Sequence, residues 1–195
     1  MAGRQAKFIS ATELTRALKL IRSRPNSTRD EAILLLSVRA GLRACEIARL
    51  EWSMVLDPRG RLTDVIEIHD RIAKKRSGRR VPMHPQLKAA LRNLLRDSSR
   101  RGPVICSQRG GAMMPNSIVN LFVQLYRQAG ASGCSSHSGR RTFITTAARS
   151  AHKAGASLRD VQLLAGHQSI ETTQRYIEGD SDAQRRLVFG LSGSA

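Results

Sequence analysis

The sequence is poor in cysteines, aromatic residues and acidic residues, and each shortage argues against a class of protein. Its three cysteines, Cys45, Cys106 and Cys134, lie far apart and form no Cys-x-x-Cys pair. The pattern therefore predicts neither a disulfide framework nor a zinc site. Aromatic residues make up only 4% of the chain, which argues against a stacking platform for single-stranded nucleic acid.

Long hydrophobic runs are also missing. No apolar stretch approaches the roughly 20 residues that a membrane-spanning helix needs, and the first ten residues lack the apolar centre of a secretory signal peptide. Hydrophobic residues still make up 41% of the 195 positions, enough for a normal core. We therefore expect a soluble protein of the reducing cytoplasm.

The shortage of acidic residues leaves a large excess of positive charge. Lysine and arginine number 33 against 15 aspartates and glutamates, which gives a net charge of +18. Charge of one sign repels itself in a compact fold, and a polyanionic partner is the simplest explanation for so much of it. Nucleic acid is the first candidate partner, and an anionic membrane surface is the second.

The hydrophobic pattern predicts a mainly α-helical fold with one small antiparallel β-hairpin, an α+β class. Ser10 and Glu13 form a capping-box pattern that opens the first helix, and a second helix from Ser27 ends at Gly41. Strands are predicted near 65–68 and 81–83, and segment 71–80 between them carries six basic residues. The other predicted helices are 43–50, 85–98, 115–129, 138–150, 157–165, 169–177 and an amphipathic tail at 180–191. No repeat or linker divides the chain, so residues 1–195 are expected to form a single domain.

Three short motifs contain residues that could do chemistry. Arg43 and Glu46 share a helix face; they are either a surface ion pair or a carboxylate that holds an arginine for a third group. His137 and Arg140, at a predicted helix start, suit phosphate binding, and a solvated basic turn is the alternative. Tyr176 lies on a polar stretch. It is either a packed tyrosine with its hydroxyl satisfied or a nucleophile, which would need cations around its target.

Taken in order, these motifs resemble the tyrosine recombinase (phage integrase) family. AGLRACEIARLEW resembles the family's first arginine box, HSGRRTFITTAA its second, and LAGHQSIETTQRYI its terminal His-and-Tyr box. The family's lysine lies on a hairpin shortly before a Val-Pro pair, and counting back from Val81 reaches Lys74, with Lys75 adjacent. The positions that match the family's catalytic residues are Arg43, Lys74, His137, Arg140, His167 and the nucleophile Tyr176, with Glu46 as the acidic support.

The resemblance implies a catalytic-domain fold and a site-specific DNA recombinase that uses no metal or cofactor and works through a 3′-phosphotyrosine intermediate. The hairpin would lie along a DNA groove. The expected partners are double-stranded DNA and further copies of the chain, monomeric in solution and tetrameric on DNA, with sibling recombinases as additional candidates. The expected location is the bacterial cytoplasm, at the nucleoid. The residues expected to contact DNA are Arg71, Lys75, Arg76, Arg79, Arg80 and Arg141.

One feature departs from the family pattern. Typical members carry an additional N-terminal helical domain that completes a clamp on DNA, and fewer than ten residues precede the first predicted helix here. The N-terminal core-binding domain is therefore expected to be absent, as in short members that resemble the fimbrial invertases; a fragment of a longer protein is the alternative.

Two alternative functions stay open. A type IB topoisomerase shares this chemistry but relaxes supercoils without exchanging strands, so relaxation of any plasmid would favour it. A non-recombining DNA-binding regulator could keep the same fold, and failure to form a covalent adduct through Tyr176 would favour that.

Overall fold

The computed structural model describes residues 6–73, 77–176 and 188–189. Residues 6–176, apart from 74–76, contain eight α-helices and one two-stranded antiparallel sheet, which confirms the predicted α+β class. The sheet consists of β1 (Val65–Ile68) and β2 (Arg79–Pro82). The helices are α1 (Ala11–Arg22), α2 (Ser27–Ala40), α3 (Ala44–Ala48), α4 (Pro85–Arg96), α5 (Pro115–Gln128), α6 (Ser138–Ser150), α7 (Leu158–Ala165) and α8 (Ile170–Gln174).

The helix boundaries follow local capping signals. Ser10 caps α1 in the predicted capping box: its hydroxyl accepts a bond from the Glu13 amide at 3.2 Å, and the Glu13 carboxylate accepts one from the Ser10 amide at 2.8 Å. Ser157 and Asp160 make the same box at the start of α7. The helix predicted at 169–177 is shorter in the structure, where α8 spans Ile170–Gln174.

Helix α2 is the centre of the molecule. Its residues from Ala32 to Val38 are all buried, and it packs against α1, α3, α4 and α6. A helix that is buried on every side belongs in the middle of a domain. It ends at Gly41, whose left-handed φ of 66° suits glycine. A side chain at Gly41 would overlap the ring of Phe143 on α6, so the second motif packs closely on the end of α2.

A second, smaller apolar cluster joins α6 to α7. It consists of Ile144, Val161 and Ala165, and the ring of Tyr176 packs against it from the chain that follows α8. The terminal motif is therefore attached to the second one by a few side chains outside the main core. No helix in the described ranges is long and apolar enough to span a membrane.

The hairpin alternates between buried and exposed side chains. Val65 pairs with Pro82, and Ile68 pairs with Arg79. On β2, Arg79 and Val81 are buried, whereas Arg80 between them is exposed. Because side chains on a strand alternate between its faces, Arg79 shares the inward face with an apolar residue. The end of the hairpin that would carry Lys74 lies outside the described residues.

Candidate active site

The first motif forms a buried ion pair at the start of α3. Arg43 is the residue that precedes the helix, and the Glu46 carboxylate accepts a bond from the Arg43 backbone N–H at 2.9 Å. The same carboxylate accepts a second bond from Arg43 Nη1 at 2.9 Å. Glu46 has no exposed surface. Of the two interpretations of this motif, the structure supports the carboxylate that holds an arginine, not the surface ion pair.

Arg79 provides the second cation at Glu46. Its Nη1 and Nη2 donate to the two carboxylate oxygens at 3.1 and 2.9 Å. Burial alone would raise the pKa of Glu46, but the bonds and charges of Arg79 and Arg43 outweigh burial and lower this pKa to about 2. Glu46 is therefore ionised at neutral pH.

The placement of Arg79 corrects one expectation. It was expected among the DNA contacts of the hairpin, but its side chain is only 3% exposed and points to Glu46. The physical reason is strand alternation, which turns Arg79 inward with Val81 and leaves Arg80 outward.

Arg140 of the second motif connects the three motifs. It lies in the first turn of α6 and is buried. Its Nη1 donates to the carbonyl of Gly41 and its Nη2 to the carbonyl of Ala165, each at 2.6 Å. Burial, and then the nearby charges of Arg43 and Arg79, lower the pKa of Arg140 to about 9, because the opposing charge of Glu46 does not offset them. The cluster therefore has unbalanced positive charge, which an anion would relieve.

His167 lies beside Arg140 and orients it. Its Nε2 is 3.1 Å from Arg140 Nη2, and its Nδ1 is 3.0 Å from the hydroxyl of the buried Thr173. Burial, and then the neighbouring arginines, lowers the pKa of His167 to about 4. The ring is therefore neutral at pH 7. Since Arg140 can only donate, Nε2 accepts, and Nδ1 carries the proton that it donates to Thr173.

Tyr176 faces this cluster at the end of the terminal motif. Its ring stacks on the His167 ring, with centroids 5.4 Å apart and planes inclined by 26°. Its backbone carbonyl accepts a bond from the Thr145 hydroxyl at 3.3 Å. The cleft in front of Tyr176 is open to solvent, and the side chains that give it its chemistry are Arg43, His137, Arg140, Arg141, Arg175 and Tyr176.

Of the remaining predicted residues, His137 joins the cleft, whereas the exposed Arg71 and Arg80 of the hairpin are not among the described residues that line it. His137 is exposed at the N-terminal end of α6 and lines the cleft. On the hairpin, Arg71 is exposed and pairs with Glu51 at 2.8 Å, and Arg80 is exposed and lies 3.4 Å from Glu67. The expectations for Lys74, Lys75 and Arg76 lie outside the described residues.

Sequence reasoning missed three residues of the site. Thr173 fixes the His167 tautomer, and Arg175 lines the cleft directly before Tyr176. The inward role of Arg79 was also missed, although strand parity with Val81 contained the signal. Within the described ranges, no group of three or more histidine, cysteine or acidic residues could hold a metal ion.

The arrangement is suited to chemistry on a phosphate ester. Arg43 can present parallel guanidinium donors to phosphate oxygens, the remaining N–H donors of the fixed Arg140 can add to them, and a phenol stands at the same cleft. The fold is that of tyrosine recombinase catalytic domains. The chain belongs to the phage integrase family, whose model matches residues 7–182.

Relatives and solved structures agree with this membership. Tyrosine recombinase XerC of Myxococcus xanthus is 32% identical over 164 residues, which cover 77% of this chain and 50% of the relative. XerC of Xanthomonas campestris pv. campestris (strain B100) is 32% identical over 177 residues, 89% of this chain and 52% of the relative. This chain thus spans about half the length of the curated relatives it matches.

Two crystal structures show the same fold. The XerA recombinase superposes with a TM-score of 0.73 at 22% identity, over 100% of this chain and 66% of that one. The XerH site-specific recombinase, bound to a palindromic difH substrate in a post-cleavage complex, superposes with a TM-score of 0.72 at 19% identity. That match covers 96% of this chain and 53% of the XerH chain.

Proposed function

We propose that this chain cuts and rejoins DNA strands as a site-specific recombinase, with Tyr176 as the nucleophile. The observation that carries the proposal is a single cleft in which Arg43, His137, Arg140 and Tyr176 of one chain meet. Family membership and the XerC relatives, named as tyrosine recombinases, support it.

The reaction is a transesterification. The Tyr176 oxygen bonds to a backbone phosphorus and the bond from phosphorus to the 5′-oxygen breaks, which leaves a 3′-phosphotyrosine and a free 5′-hydroxyl. His137, exposed in the cleft, takes the phenolic proton, and Lys74 donates a proton to the leaving oxygen. Because one phosphodiester replaces another, no ATP is consumed. To complete the exchange, the 5′-hydroxyl oxygen of a second duplex bonds to the same phosphorus and the bond to the Tyr176 oxygen breaks. Lys74 takes the hydroxyl proton and His137 returns its proton to the phenol.

The arginines stabilise the charge that builds up in the transition state. Two backbone carbonyls hold Arg140, and Glu46 holds Arg43, so both cations are in place before the substrate arrives. Preorganised donors of this kind usually supply the largest share of catalysis, because nothing has to reorient during the reaction. Burial, and then its cationic neighbours, lower the pKa of Arg140. The negative charge of a phosphate in the cleft stabilises the guanidinium and raises this pKa again.

Duplex DNA is the proposed partner, with four protomers on two duplexes for a complete exchange. The net charge of +18 and the exposed Arg71 and Arg80 on the hairpin supply sequence-independent phosphate contacts. Arg141 at the cleft is proposed to add another. The XerH structure with its DNA substrate supports a duplex partner by analogy.

Capture of the covalent intermediate tests the proposal. A pool of nicked duplexes with random sequence around the nick is incubated with the protein, and protein-linked DNA is isolated under denaturing conditions and sequenced. We expect an adduct with a defined target sequence, its loss in Tyr176→Phe, and its retention in Tyr126→Phe. Tyr126, the chain's other tyrosine, is buried in the main core and is the matched control. An adduct formed by Tyr176→Phe would show that another residue is the nucleophile.

The captured sequence then separates recombination from the alternatives. Two duplexes that carry it should yield joined products, whereas plasmids without it should keep their supercoils. Relaxation of any plasmid would favour the topoisomerase-like alternative. DNA binding without any adduct would favour the regulator.

A further inference from the structure

Arg79 occupies a position unlike those of the other hairpin arginines. Its side chain is 3% exposed, while those of Arg71 and Arg80 are 58% and 74% exposed. Among the described residues, its Nε has no hydrogen-bond acceptor although it is buried. A buried cation with an unpaired donor is costly and contributes little net stability. Its position therefore calls for a functional explanation.

The Glu46 carboxylate shows what Arg79 does. One oxygen accepts from Arg43 Nη1 and Arg79 Nη1, and the other accepts from the Arg43 amide and Arg79 Nη2, all between 2.9 and 3.1 Å. Four donors fix the carboxylate completely. Without Arg79, the negative charge of Glu46 would have only Arg43 to balance it. With Arg79, that charge is already compensated, and Arg43 keeps its positive charge for the cleft.

A second contact extends this link to the terminal motif. Gly166 ends α7 with a left-handed φ of 63°, and a Cβ added there would lie 2.9 Å from Arg79 Cδ and 3.2 Å from Arg79 Nη1. The Arg79 side chain thus lies directly under the turn that leads to His167. From the hairpin, this side chain thus reaches both the start of α3 and the end of α7.

We propose that Arg79 is a positioning residue that acts through Glu46 on Arg43 and fixes the hairpin against the Gly166 turn. The proposal rests on the proposed phosphoryl-transfer function of the cleft. Arg79 itself does not touch the substrate. It sets how much positive charge Arg43 presents to the scissile phosphate, and where.

The variants Arg79→Gln and Arg79→Lys test this role, with Arg29→Gln as the matched control. Arg29 is also a largely buried arginine, bonded to the buried Asp30 at 2.9 Å, but it lies near the start of α2, remote from Gly41 at the end of that helix. Cleavage is measured in a single turnover at saturating DNA, together with DNA affinity and thermal unfolding.

We expect Arg79→Gln to slow cleavage by about a hundredfold, the effect of losing one preorganised donor, with DNA affinity nearly unchanged. Arg79→Lys restores only part of the rate, because an ammonium group cannot make the paired bonds of a guanidinium. Arg29→Gln should cleave at the rate of the unaltered protein, whatever it does to the unfolding temperature.

A substrate with a neutral methylphosphonate at the scissile position separates positioning from general stability. This group lacks the charge that Arg43 compensates, so the rate penalty of Arg79→Gln should shrink strongly with it. A merely structural role would slow both substrates equally. An equal penalty on the two substrates, or a cleavage rate unchanged in Arg79→Gln, overturns the proposal.

Inorganic vanadate, a tetrahedral oxyanion, gives a readout that does not depend on cleavage. We expect the unaltered protein to bind vanadate at the cleft and Arg79→Gln to bind it at least about tenfold more weakly, a difference that a titration resolves easily. If vanadate binding depends on Arg79 but no covalent adduct forms, the proposed function fails and the positioning role stands. No binding, or equal binding by both proteins, overturns the role of Arg79.

Discussion

The ring of His167 lies between Arg140 and Tyr176: its Nε2 is 3.1 Å from Arg140 Nη2, and its face stacks on the Tyr176 ring at 5.4 Å. One neutral imidazole therefore orients a guanidinium and supports a phenol. The Thr173 hydroxyl accepts a hydrogen bond from the protonated Nδ1 of the ring and thereby holds the tautomer. A guanidinium, an imidazole, a hydroxyl and a phenol are thus held together by contacts between α6 and residues 167–176.

His167 should make folding stability depend on mild acidity. Burial, followed by the charges of Arg140, Arg43 and Arg79, lowers its pKa from 6.5 to about 4. Between these values the unfolded chain binds a proton that the folded protein does not, so stability falls as pH drops from 6.5 towards 4. His167→Gln should lose less stability than the unaltered protein when the pH of urea unfolding is lowered through this window.

The comparison with His167→Gln is needed because burial also lowers the pKa of His84, which contributes in the same direction. His84→Gln serves as the parallel variant. If His167→Gln showed the same pH dependence as the unaltered protein, the neutral buried state of His167 would be wrong.

Removing the charge of Glu46 should destabilise the fold strongly. Glu46→Gln leaves the buried Arg79 without a counter-charge, and breaking a buried ion pair typically costs about 3–5 kcal/mol of unfolding free energy. The double variant Glu46→Gln with Arg79→Gln should recover part of that stability. Urea unfolding at neutral pH measures both.

Glu51→Gln is the control for this prediction, because Glu51 pairs with Arg71 at the surface and such a pair is worth under about 1 kcal/mol. Since the pKa of Glu46 is lowered from 4.5 to about 2, its contribution is complete above pH 4.5 and disappears as pH falls towards 2. A destabilisation by Glu46→Gln no larger than that by Glu51→Gln would contradict the prediction.

The hairpin should determine part of the salt dependence of DNA binding. Replacing Lys75, Arg76 and Arg80 by alanine should weaken binding to all sequences and reduce the slope of log affinity against log salt by about 0.9 for each phosphate that is no longer neutralised. Arg79 is left in place because its side chain is buried. Binding titrations at several salt concentrations give the slope.

A second triple variant controls for net charge. It replaces Arg92, Arg96 and Arg101, all exposed on α4 or just beyond it, by alanine. An equal change of slope in both triple variants would mean that only total charge matters. An unchanged slope in the hairpin variant would mean that the hairpin does not contact DNA.

The tail after Tyr176 should link protomers on DNA. Most of the predicted amphipathic helix at 180–191 lies outside the described residues. Within it, Val188 and Phe189 are helical, and they are 61% and 69% exposed to solvent. Deleting residues 181–195 should spare binding to a single site and abolish assembly on a two-site DNA. Light scattering with one-site and two-site duplexes measures this.

The variant Phe189→Ser tests the same surface without shortening the chain, and Val123→Ser on α5, also exposed, is its control. We expect Phe189→Ser to weaken assembly and Val123→Ser to leave it intact. A truncated chain that assembled normally would exclude the tail as the link. If the truncated chain unfolded, that result would instead indicate that the tail folds back on its own core.

Much of the fold could be predicted because its signals are local. Ser10 with Glu13, the left-handed glycine at 41 and Ser157 with Asp160 each fix a helix end through contacts within a few residues. The alternation of apolar residues likewise predicted both strands, and the ordered motifs predicted the family. The catalytic roles of the individual residues stay predictions until the variants are measured.

The sequence by itself determined which chemical groups the chain carries, their spacing within each motif, and the excess of positive charge. Only the tertiary structure decided which charges are buried. Arg140 meets the Gly41 carbonyl across 99 residues of sequence, and Arg79 meets Glu46 across 33. Those contacts depend on how α6 packs against α2 and how β2 lies against α3 and α7. Such packing brings together residues whose local sequence contains no signal of the partner. For this reason the sequence pattern assigns Arg79 to a DNA-binding hairpin, whereas the structure places its side chain in the arginine cluster around Glu46.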